Sequence, residues 1–427
     1  MKEEFLHFIW RFQLFDHTVL KTTEGANIQI IKPGILNTDA GPDFANAKLL
    51  ISELTWAGSV EVHVKSSDWD RHAHSSDSNY ENVILHLVWE DDNPVRRADG
   101  QKIPTLELKN LISDQLLLKY KQLMLNEGGI PCESLFENID ELKKMMTVES
   151  MAIKRMERKA KDVLSIYAKT VNDWDETAYR LLLKYLGFKL NNAAFETLAE
   201  RVPFKLARKY ATNVFQLEAL YFGVSGLLHE ENKDLDEYTE KLYKEFNYLK
   251  AKHQLEEHIM NPTSWKFMRT RPANFPTIRL AQLVSFVAQS RPLFSAFTEI
   301  ENLSELLDIF KLEPSAYWTE HYVFGKKTEK KGGAIGQNSQ LTLIVNVVVP
   351  ILIAYGQSID NQTYKDRAIR FIEEIPAEKN SIISYWKSLG LKAKTMLDSQ
   401  GEIELYNEFC NKKACLQCGI GLSIIKS

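Results

Sequence analysis

Four cysteines are grouped in a way that suits a metal site. Cys410, Cys415 and Cys418 stand close together near the C-terminus, and Cys132 stands alone. The 427-residue chain has no other cysteine. Four thiolates bind zinc or an iron–sulfur cluster, and this spacing with a remote fourth cysteine is also used by plant-type iron–sulfur proteins. The sequence therefore predicts an all-sulfur site, with Zn²⁺ and an iron–sulfur cluster both open, unless Cys132 is only a small buried side chain.

Two carboxylates form a second candidate site. Asp43 follows Gly-Pro at the start of a predicted strand, while Glu61, His63 and Lys65 alternate along the next strand and so share one face. Two adjacent carboxylates can hold Mg²⁺ or Mn²⁺, and Lys65 or His63 can position or deprotonate a water molecule. This set suits the hydrolysis of phosphodiester bonds. The alternative is structural: Asp43 caps a turn, and Glu61 and Lys65 line a solvated strand.

Histidines are dense around the same strands. His63, His72 and His74 offer imidazole nitrogens for a zinc ion. Against this, residues two apart on a helix point in different directions, so His72 and His74 are not expected to converge. A second interpretation places His72, His74 and Tyr80 on the substrate side of the carboxylates. His86 lies in an apolar strand and is expected to be a core histidine.

Basic residues mark a possible substrate surface further along the chain. Arg269, Arg271 and Arg279 are interleaved with Asn274 and Phe275 before a predicted helix. Arginine makes bidentate contacts with phosphate, and aromatic rings stack on bases. These arginines are therefore candidate substrate-binding residues. The alternative is that they tie a helix–loop–helix corner together.

The elements that must position these residues change in type along the chain. Residues 1–20 predict an amphipathic helix, and alternating patterns predict strands at 27–31, 45–51, 58–65, 83–89 and 103–108, with a short helix opening near residue 67. Helical periodicity dominates from about residue 140. The predicted class is α+β, with an N-terminal mixed sheet and flanking helices, a larger helical domain and a C-terminal cysteine module. The predicted domains are 1–111, 112–408 and 409–427, the last completed by Cys132.

Composition is that of an ordinary globular protein, with 44% apolar and 26% charged residues. The net charge of -4 gives no global sign of a nucleic-acid partner, which would need a local basic surface. The N-terminus lacks the pattern of a signal peptide, and the apolar stretch Leu341–Tyr355 is short and interrupted by Asn346 and Pro350. We therefore expect a cytoplasmic protein, no membrane contact and reduced thiols.

Pro42-Asp43 followed by Glu61-x-His63 resembles the motif of the PD-(D/E)xK nuclease superfamily over roughly residues 1–110. The resemblance implies a core of helix, three strands, helix and strand, with Asp43 and Glu61 as metal carboxylates. The family's lysine falls at His63, and Lys65 lies two residues further along. Some of these nucleases carry an iron–sulfur staple with one early cysteine and three near the C-terminus, although there the nuclease motif lies between the ligands.

The chain as a whole also resembles an uncharacterised bacterial family, a domain of unknown function. The stretches that carry this resemblance are Asn37–Phe44, Gly58–His63, Ser67–Trp69 with His72–His74, and Cys410–Gly421. The sequence thus favours a metal-dependent nuclease or nucleic-acid-processing protein, with nucleic acid as its partner. The alternative is a non-enzymatic protein that binds nucleic acid or protein and has a structural four-cysteine metal site.

Overall fold

The computed structural model divides into two compact units. The first contains Met1–Thr147 and Leu405–Ser427, and the second contains Val148–Glu404. The structure describes residues 1–37, 40–97, 99–126, 128–268, 270–289, 292–329 and 333–426. The predicted α+β class is confirmed, since a mixed sheet with helices is followed by a mostly helical region.

One mixed sheet forms the centre of the first unit. Its strands are β1 (Ile28–Lys32), β2 (Ile35–Leu36), β3 (Phe44–Ile51), β4 (Leu54–Lys65), β5 (Val83–Glu90) and β6 (Thr105–Glu107). The strand order is β1-β3-β4-β5-β6, and β2 pairs with β3. β3 is antiparallel to β1 and β4, whereas β4 to β5 and β5 to β6 are parallel. All five predicted strands are present, and the two-residue β2 was too short for a sequence pattern to reveal.

The pairing of β4 with β5 depends on a glycine. A Cβ atom added to Gly58 would lie 2.4 Å from the carbonyl oxygen of Asn82, which no ordinary contact allows. That oxygen accepts the backbone N–H of Ser59 at 2.8 Å, just before β5 begins. Gly58 therefore permits the close approach that sets the register of the two strands.

Helix α1 (Glu3–Phe12) packs against β4 with an apolar face that includes Phe5 and Ile9, both fully buried. The predicted helix was longer, to residue 20. It ends at Phe12 because Gln13 adopts a left-handed conformation at φ 51°, and its N–H closes the last turn. The opposite face of α1 places Glu3 and His7 one turn apart.

Short elements complete the first unit. They are α2 (Asp68–Arg71), α3 (Asp114–Leu125), a π-helical turn (Leu405–Cys410), a 3₁₀ turn (Cys415–Gln417) and the last helix, Gly419–Lys426. The last helix packs against α3, and the 3₁₀ turn contacts α1.

The second unit is helical. Its first helix, α4 (Glu141–Lys169), begins before residue 148. The helices that follow are α5 (Trp174–Leu186), α6 (Asn192–Arg201), α7 (Phe204–Arg208), α8 (Val214–Val224), α9 (Glu237–His253), α10 (Pro276–Ala288), α11 (Leu293–Glu299), α12 (Leu303–Ile309), α13 (Ala316–Glu320), α14 (Gln337–Leu343), α15 (Val349–Ser358), α16 (Gln362–Glu374), α17 (Ser381–Ser388) and α18 (Met396–Glu404). Two short strands, β7 (His321–Val323) and β8 (Lys326–Lys327), form a separate antiparallel pair.

The predicted buried helix at Leu341–Tyr355 belongs to a continuous helical segment, Gln337–Ser358, with a π-helical turn at Ile344–Val348. By length and composition this segment is apolar enough to cross a membrane. Within the protein, however, 72% of its most apolar window is buried. Such burial is typical of the core helix of a globular domain.

Candidate metal centre

The hairpin of β3 and β4 brings Asp43 and Glu61 together. The backbone N–H of Asp43 donates to Glu61 Oε2 at 3.1 Å, and Asp43 Oδ2 accepts the N–H of Val62 at 3.0 Å. Phe44 is the register partner of Val60, so Asp43 lies just beyond the end of the paired segment, beside Glu61. The sequence prediction that these two residues are neighbours agrees with this geometry.

Two histidines lie close to the second carboxylate oxygen of Glu61. Glu61 Oε1 lies 3.6 Å from His63 Nε2 and 3.3 Å from His74 Nε2. His63 Nε2 also lies 3.3 Å from His72 Nδ1. The ligand nitrogens of the three histidines all lie within 4.8 Å of one another. We call these four residues the Glu61–histidine cluster.

The expectation that His72 and His74 point apart is wrong. Helix α2 ends at Arg71, so the two histidines do not share a helix. Between them, Ala73 adopts a left-handed conformation at φ 57°, and a new 3₁₀ turn begins at His74. This reversal of the chain directs both imidazoles towards His63.

Aromatic and imidazole rings support the cluster from behind. His63 Nδ1 lies 2.8 Å from Nε2 of the fully buried His86, and His74 stacks on Tyr80 at 3.8 Å. Trp69 contacts the edges of His74 and His86. His86 is thus a buried core residue, as expected, but it also orients the ring of His63. Such a partner for the second ring nitrogen is usual behind metal-ligating histidines.

Burial favours the uncharged forms of Glu61, His63 and His74. It raises the pKa of Glu61 to about 9, with a further rise from the charge of Asp43. Burial also lowers the pKa of His63 to about 2 and that of His86 to about 3, and it lowers the pKa of His74. The contacts of Glu61 with His63 and His74 are therefore not ion pairs at neutral pH. His74 Nε2 has no hydrogen-bond partner among the described residues, despite its closeness to Glu61.

Helix α1 adds two residues that the sequence analysis did not select. His7 Nε2 lies 3.2 Å from Asp43 Oδ2. Burial raises the pKa of Glu3, and the nearby Asp43 raises it further, so Glu3 also borders the site. Their spacing of four residues on the polar face of an amphipathic helix was the only available signal, and many solvated helices share it.

Lys65 lies apart from the two carboxylates. Its Nζ is 3.8 Å from Asp92 Oδ2, and 54% of its side chain is exposed. With Lys2, Arg71 and His72 it borders an open cleft beside the cluster, which Glu3, Glu4 and Asp68 also line. Lys65 therefore lies at the cleft, beside Asp92.

One protein-family model matches most of the chain. A family described as "Protein of unknown function (DUF2851)" matches residues 3–381. The chain belongs to the DUF2851 family. No curated protein and no solved structure matches the chain. In this DUF2851 member, the matched range contains the whole Glu61–histidine cluster and Cys132, and it ends before the other three cysteines.

The four cysteines of the DUF2851 chain are gathered in its first unit. All four are buried, and none is in a disulfide. Burial raises the pKa of Cys132 and of Cys415 to about 12, and the pKa of Cys410 also rises. In each case the next cause is the neighbouring Cys418. The folded chain therefore brings together the thiols that the sequence grouped only in part.

Local backbone features shape the cysteine loop of this DUF2851 member. Lys413 adopts a left-handed conformation, and its Nζ donates to the carbonyl of Met124 at 2.8 Å. A Cβ atom on Gly421 would lie 2.2 Å from the carbonyl oxygen of Cys415, so a larger residue does not fit there. These contacts hold the last helix close to the segment that carries Cys415.

Arg271 and Arg279 belong to the second unit. Arg279 is 4% exposed and donates to Gln282 Oε1 at 2.8 Å and to Asn274 Oδ1 at 2.6 Å. Arg271 is exposed at the start of a 3₁₀ turn. Arg269 lies outside the described residues. The contacts of Arg279 fit the structural alternative, in which it ties the corner before α10.

Proposed function

We propose that this protein is a metal-dependent phosphodiesterase, a nuclease or nucleic-acid-processing enzyme, whose metal is held by the Glu61–histidine cluster. The observation that carries the proposal is the set of donor separations of 3.3, 3.3 and 3.6 Å between Glu61, His63, His72 and His74. Tetrahedral ligands at about 2.1 Å from a metal ion are separated from one another by about 3.4 Å. Three of the six donor pairs therefore have the spacing of ligands, and the nitrogens of the three histidines lie within 4.8 Å of one another.

The donor set changes which metal we expect. Carboxylates alone favour Mg²⁺, whereas imidazole nitrogens suit Zn²⁺ and other transition metals. With three imidazoles and one carboxylate, we propose Zn²⁺ or Mn²⁺ rather than Mg²⁺ at this site. A bound ion of this kind would lower the pKa of a water molecule and polarise a phosphoryl oxygen.

The chain's own residues have separable roles in the proposal. Asp43 accepts the Val62 N–H and lies beside His7, so its carboxylate is held in position to accept a proton from water. His86 holds the ring of His63 through its Nδ1. Lys65 and Arg71 lie in the adjoining cleft beside Asp92 and Asp68, and in the proposal they exchange these carboxylates for phosphate oxygens of the substrate.

The order of elements supports phosphodiester chemistry over other metal-assisted hydrolysis. Helix α1, the antiparallel strands β1, β3 and β4, helix α2 and the parallel strand β5 follow the arrangement that the PD-(D/E)xK resemblance implies. Asp43 and Glu61 lie on the second and third of these strands or at their ends. The nucleic-acid partner is proposed on this basis.

We also propose that the four buried thiols hold Zn²⁺ or an iron–sulfur cluster as a structural staple. A metal ion that replaces the protons of thiols already held close together adds its binding free energy to the stability of the fold. Absorption of anaerobically purified protein separates the two metals: broad absorption near 400 nm indicates iron–sulfur, and a colourless zinc-containing protein excludes it.

The test of the enzymatic proposal combines metal content with activity. The protein is loaded with Mn²⁺, Zn²⁺ or Mg²⁺ and incubated with single- and double-stranded DNA and RNA and with an activated phosphodiester. We expect the wild type to cleave with Mn²⁺ or Zn²⁺. Glu61→Gln and His74→Gln should each lose this cleavage and bind one metal ion fewer per chain. His17→Gln, an exposed histidine on another part of the unit, is the matched control.

Two outcomes contradict the proposal. If Glu61→Gln and His74→Gln cleave as well as the wild type, the metal centre is assigned wrongly. If the wild type binds no metal beyond that held by the cysteines and cleaves nothing, the non-enzymatic binding function replaces the enzymatic one.

A further inference from the structure

A cavity in the second unit contains a buried arginine. The cavity measures about 320 Å³ and lies between the turn after α5, the start of α6 and the segment that leads into α10. Arg271, Arg279, Asn191, Asn274, Thr270 and Phe188 are among its lining residues. The volume is close to the lower limit for small-molecule sites and exceeds what a single phosphate needs.

Arg279 is the most unusual of the lining residues. It is 4% exposed, and its guanidinium stacks 4.2 Å from the centre of the Phe188 ring. Its two terminal nitrogens donate to neutral amide oxygens, whereas its buried Nε has no partner among the described residues. The side chain is thus held in place by its two terminal nitrogens, while its Nε–H is unused.

The charge of Arg279 is also uncompensated. Burial lowers the pKa of Arg279 to about 10, and no acidic group of the described chain acts against this effect. A buried cation without an anionic partner is costly, and proteins usually pair it. The amide oxygens of Asn274 and Gln282 carry only partial negative charge, so they do not neutralise the guanidinium of Arg279.

The surroundings of the cavity are electropositive in two further ways. Arg271 is exposed at the lining and adds a second guanidinium. Asn191, just before α6, and Pro276, the first residue of α10, place the starts of these helices of 10 and 13 residues at the cavity. The start of a helix carries a partial positive charge that favours anions.

We propose that this cavity binds a phosphate group, either inorganic phosphate or the terminal phosphate of a small phosphomonoester. Two guanidinium groups and two helix starts match a dianion better than a single carboxylate, and the planar fork of arginine suits phosphate oxygens. The volume beyond the phosphate accommodates part of the attached molecule. This site is separate from the proposed phosphodiesterase centre and does not depend on it.

Isothermal titration of the full-length protein with inorganic phosphate, at constant ionic strength set by chloride, tests the proposal. We expect saturable binding with a Kd of about 1 mM or tighter. Arg271→Gln, an exposed change, and Arg279→Lys, which retains the charge but loses the fork, should each weaken binding about tenfold or more. Arg208→Gln, an exposed arginine at the end of α7, should bind as the wild type does.

Further arms separate this site from the metal centre and identify the source of the phosphate. Glu61→Gln should bind phosphate unchanged, because its substitution affects only the first site. A nucleoside 5′-monophosphate that binds more tightly than inorganic phosphate assigns the cavity to a phosphomonoester, and equal or weaker binding assigns it to free phosphate. The proposal is overturned if no saturable binding occurs, or if Arg271→Gln and Arg279→Lys both bind phosphate as tightly as the wild type.

Discussion

Replacement of Glu402 by glutamine should stabilise the protein, and increasingly so as the pH rises. Glu402 lies in α18, is 1% exposed, and has one carboxylate oxygen without a partner among the described residues. Burial, with a smaller contribution from Asp398, raises the pKa of Glu402 from 4.5 to about 8. The folded state therefore keeps a proton that the unfolded state releases above pH 4.5, so stability falls with rising pH.

The two pKa values set the size of this effect. Relative to a neutral side chain, the carboxyl of Glu402 costs about 1 kcal/mol at pH 5, about 3 kcal/mol at pH 7 and about 5 kcal/mol at pH 9. Glu402→Gln removes the charge and nearly keeps the shape. Its gain over the wild type should thus grow by about 4 kcal/mol from pH 5 to pH 9, equivalent to roughly 8 °C or more in Tm for a unit of this size.

Scanning calorimetry of both proteins at pH 5, 7 and 9 measures this difference. Glu404→Gln, two residues away on the same helix, is the matched control. Burial alone would raise the pKa of Glu404, but hydrogen bonds from Arg158 and Arg155 outweigh it and hold that pKa below its usual value. Glu404 thus contributes stability at neutral pH that is lost on acidification, and its substitution should lower Tm. A Tm gain for Glu402→Gln that does not change with pH refutes the reasoning.

Three further predictions follow from particular contacts. Lys159 is buried, its Nζ donates to Asn346 Oδ1, and burial lowers its pKa to about 7. Lys159→Met should therefore stabilise the protein most below pH 7, where the buried amine of the wild type is charged. The gain in the free energy of unfolding, measured in urea, should fall by about 4 kcal/mol from pH 6 to pH 10. A benefit that is constant with pH would contradict this. Cys415→Ser should remove the metal held by the cysteines and lower Tm, whereas Ser423→Ala in the nearby last helix should change neither the metal content nor Tm. Unchanged metal content in Cys415→Ser, measured by mass spectrometry, would count against the staple. Gly58→Val should disrupt the pairing of β4 with β5 and lower the free energy of unfolding by about 3 kcal/mol or more, measured in urea. Gly333→Val, where a side chain meets no atom within 4 Å, is the control.

The fold class and the sheet could be predicted from the sequence because each strand carries its own signal. Alternation and β-branched residues marked β3, β4 and β5 within a few residues of their observed bounds. The end of α1 was predicted too late, since the left-handed conformation of Gln13 leaves no pattern in the sequence. The two-residue strands β2 and β8 are too short for any periodicity to reveal.

The sequence predicted several residues of the candidate site, but not how they are arranged in space. Asp43, Glu61 and His63 were selected from strand spacing, and the hairpin brings them into contact. The convergence of His72 with His74 was not, because it depends on where α2 stops and on the conformation of Ala73. Glu3 and His7 were missed, since their approach to Asp43 depends on how α1 packs on the sheet.

By itself, the sequence determined the class of the fold, the grouping of three cysteines and the shared face of Glu61 and His63, because these follow from local spacing. Only the tertiary structure decided that Cys132 joins the other three thiols, that His63 and His74 lie within 3.6 Å of one oxygen of Glu61, and that Arg279 is buried without an acidic partner among the described residues. Each of these depends on chain reversals and burial between residues distant in sequence. The charge state of a side chain and its ability to bind a metal depend on its distances from other side chains. Spacing along the chain does not specify those distances.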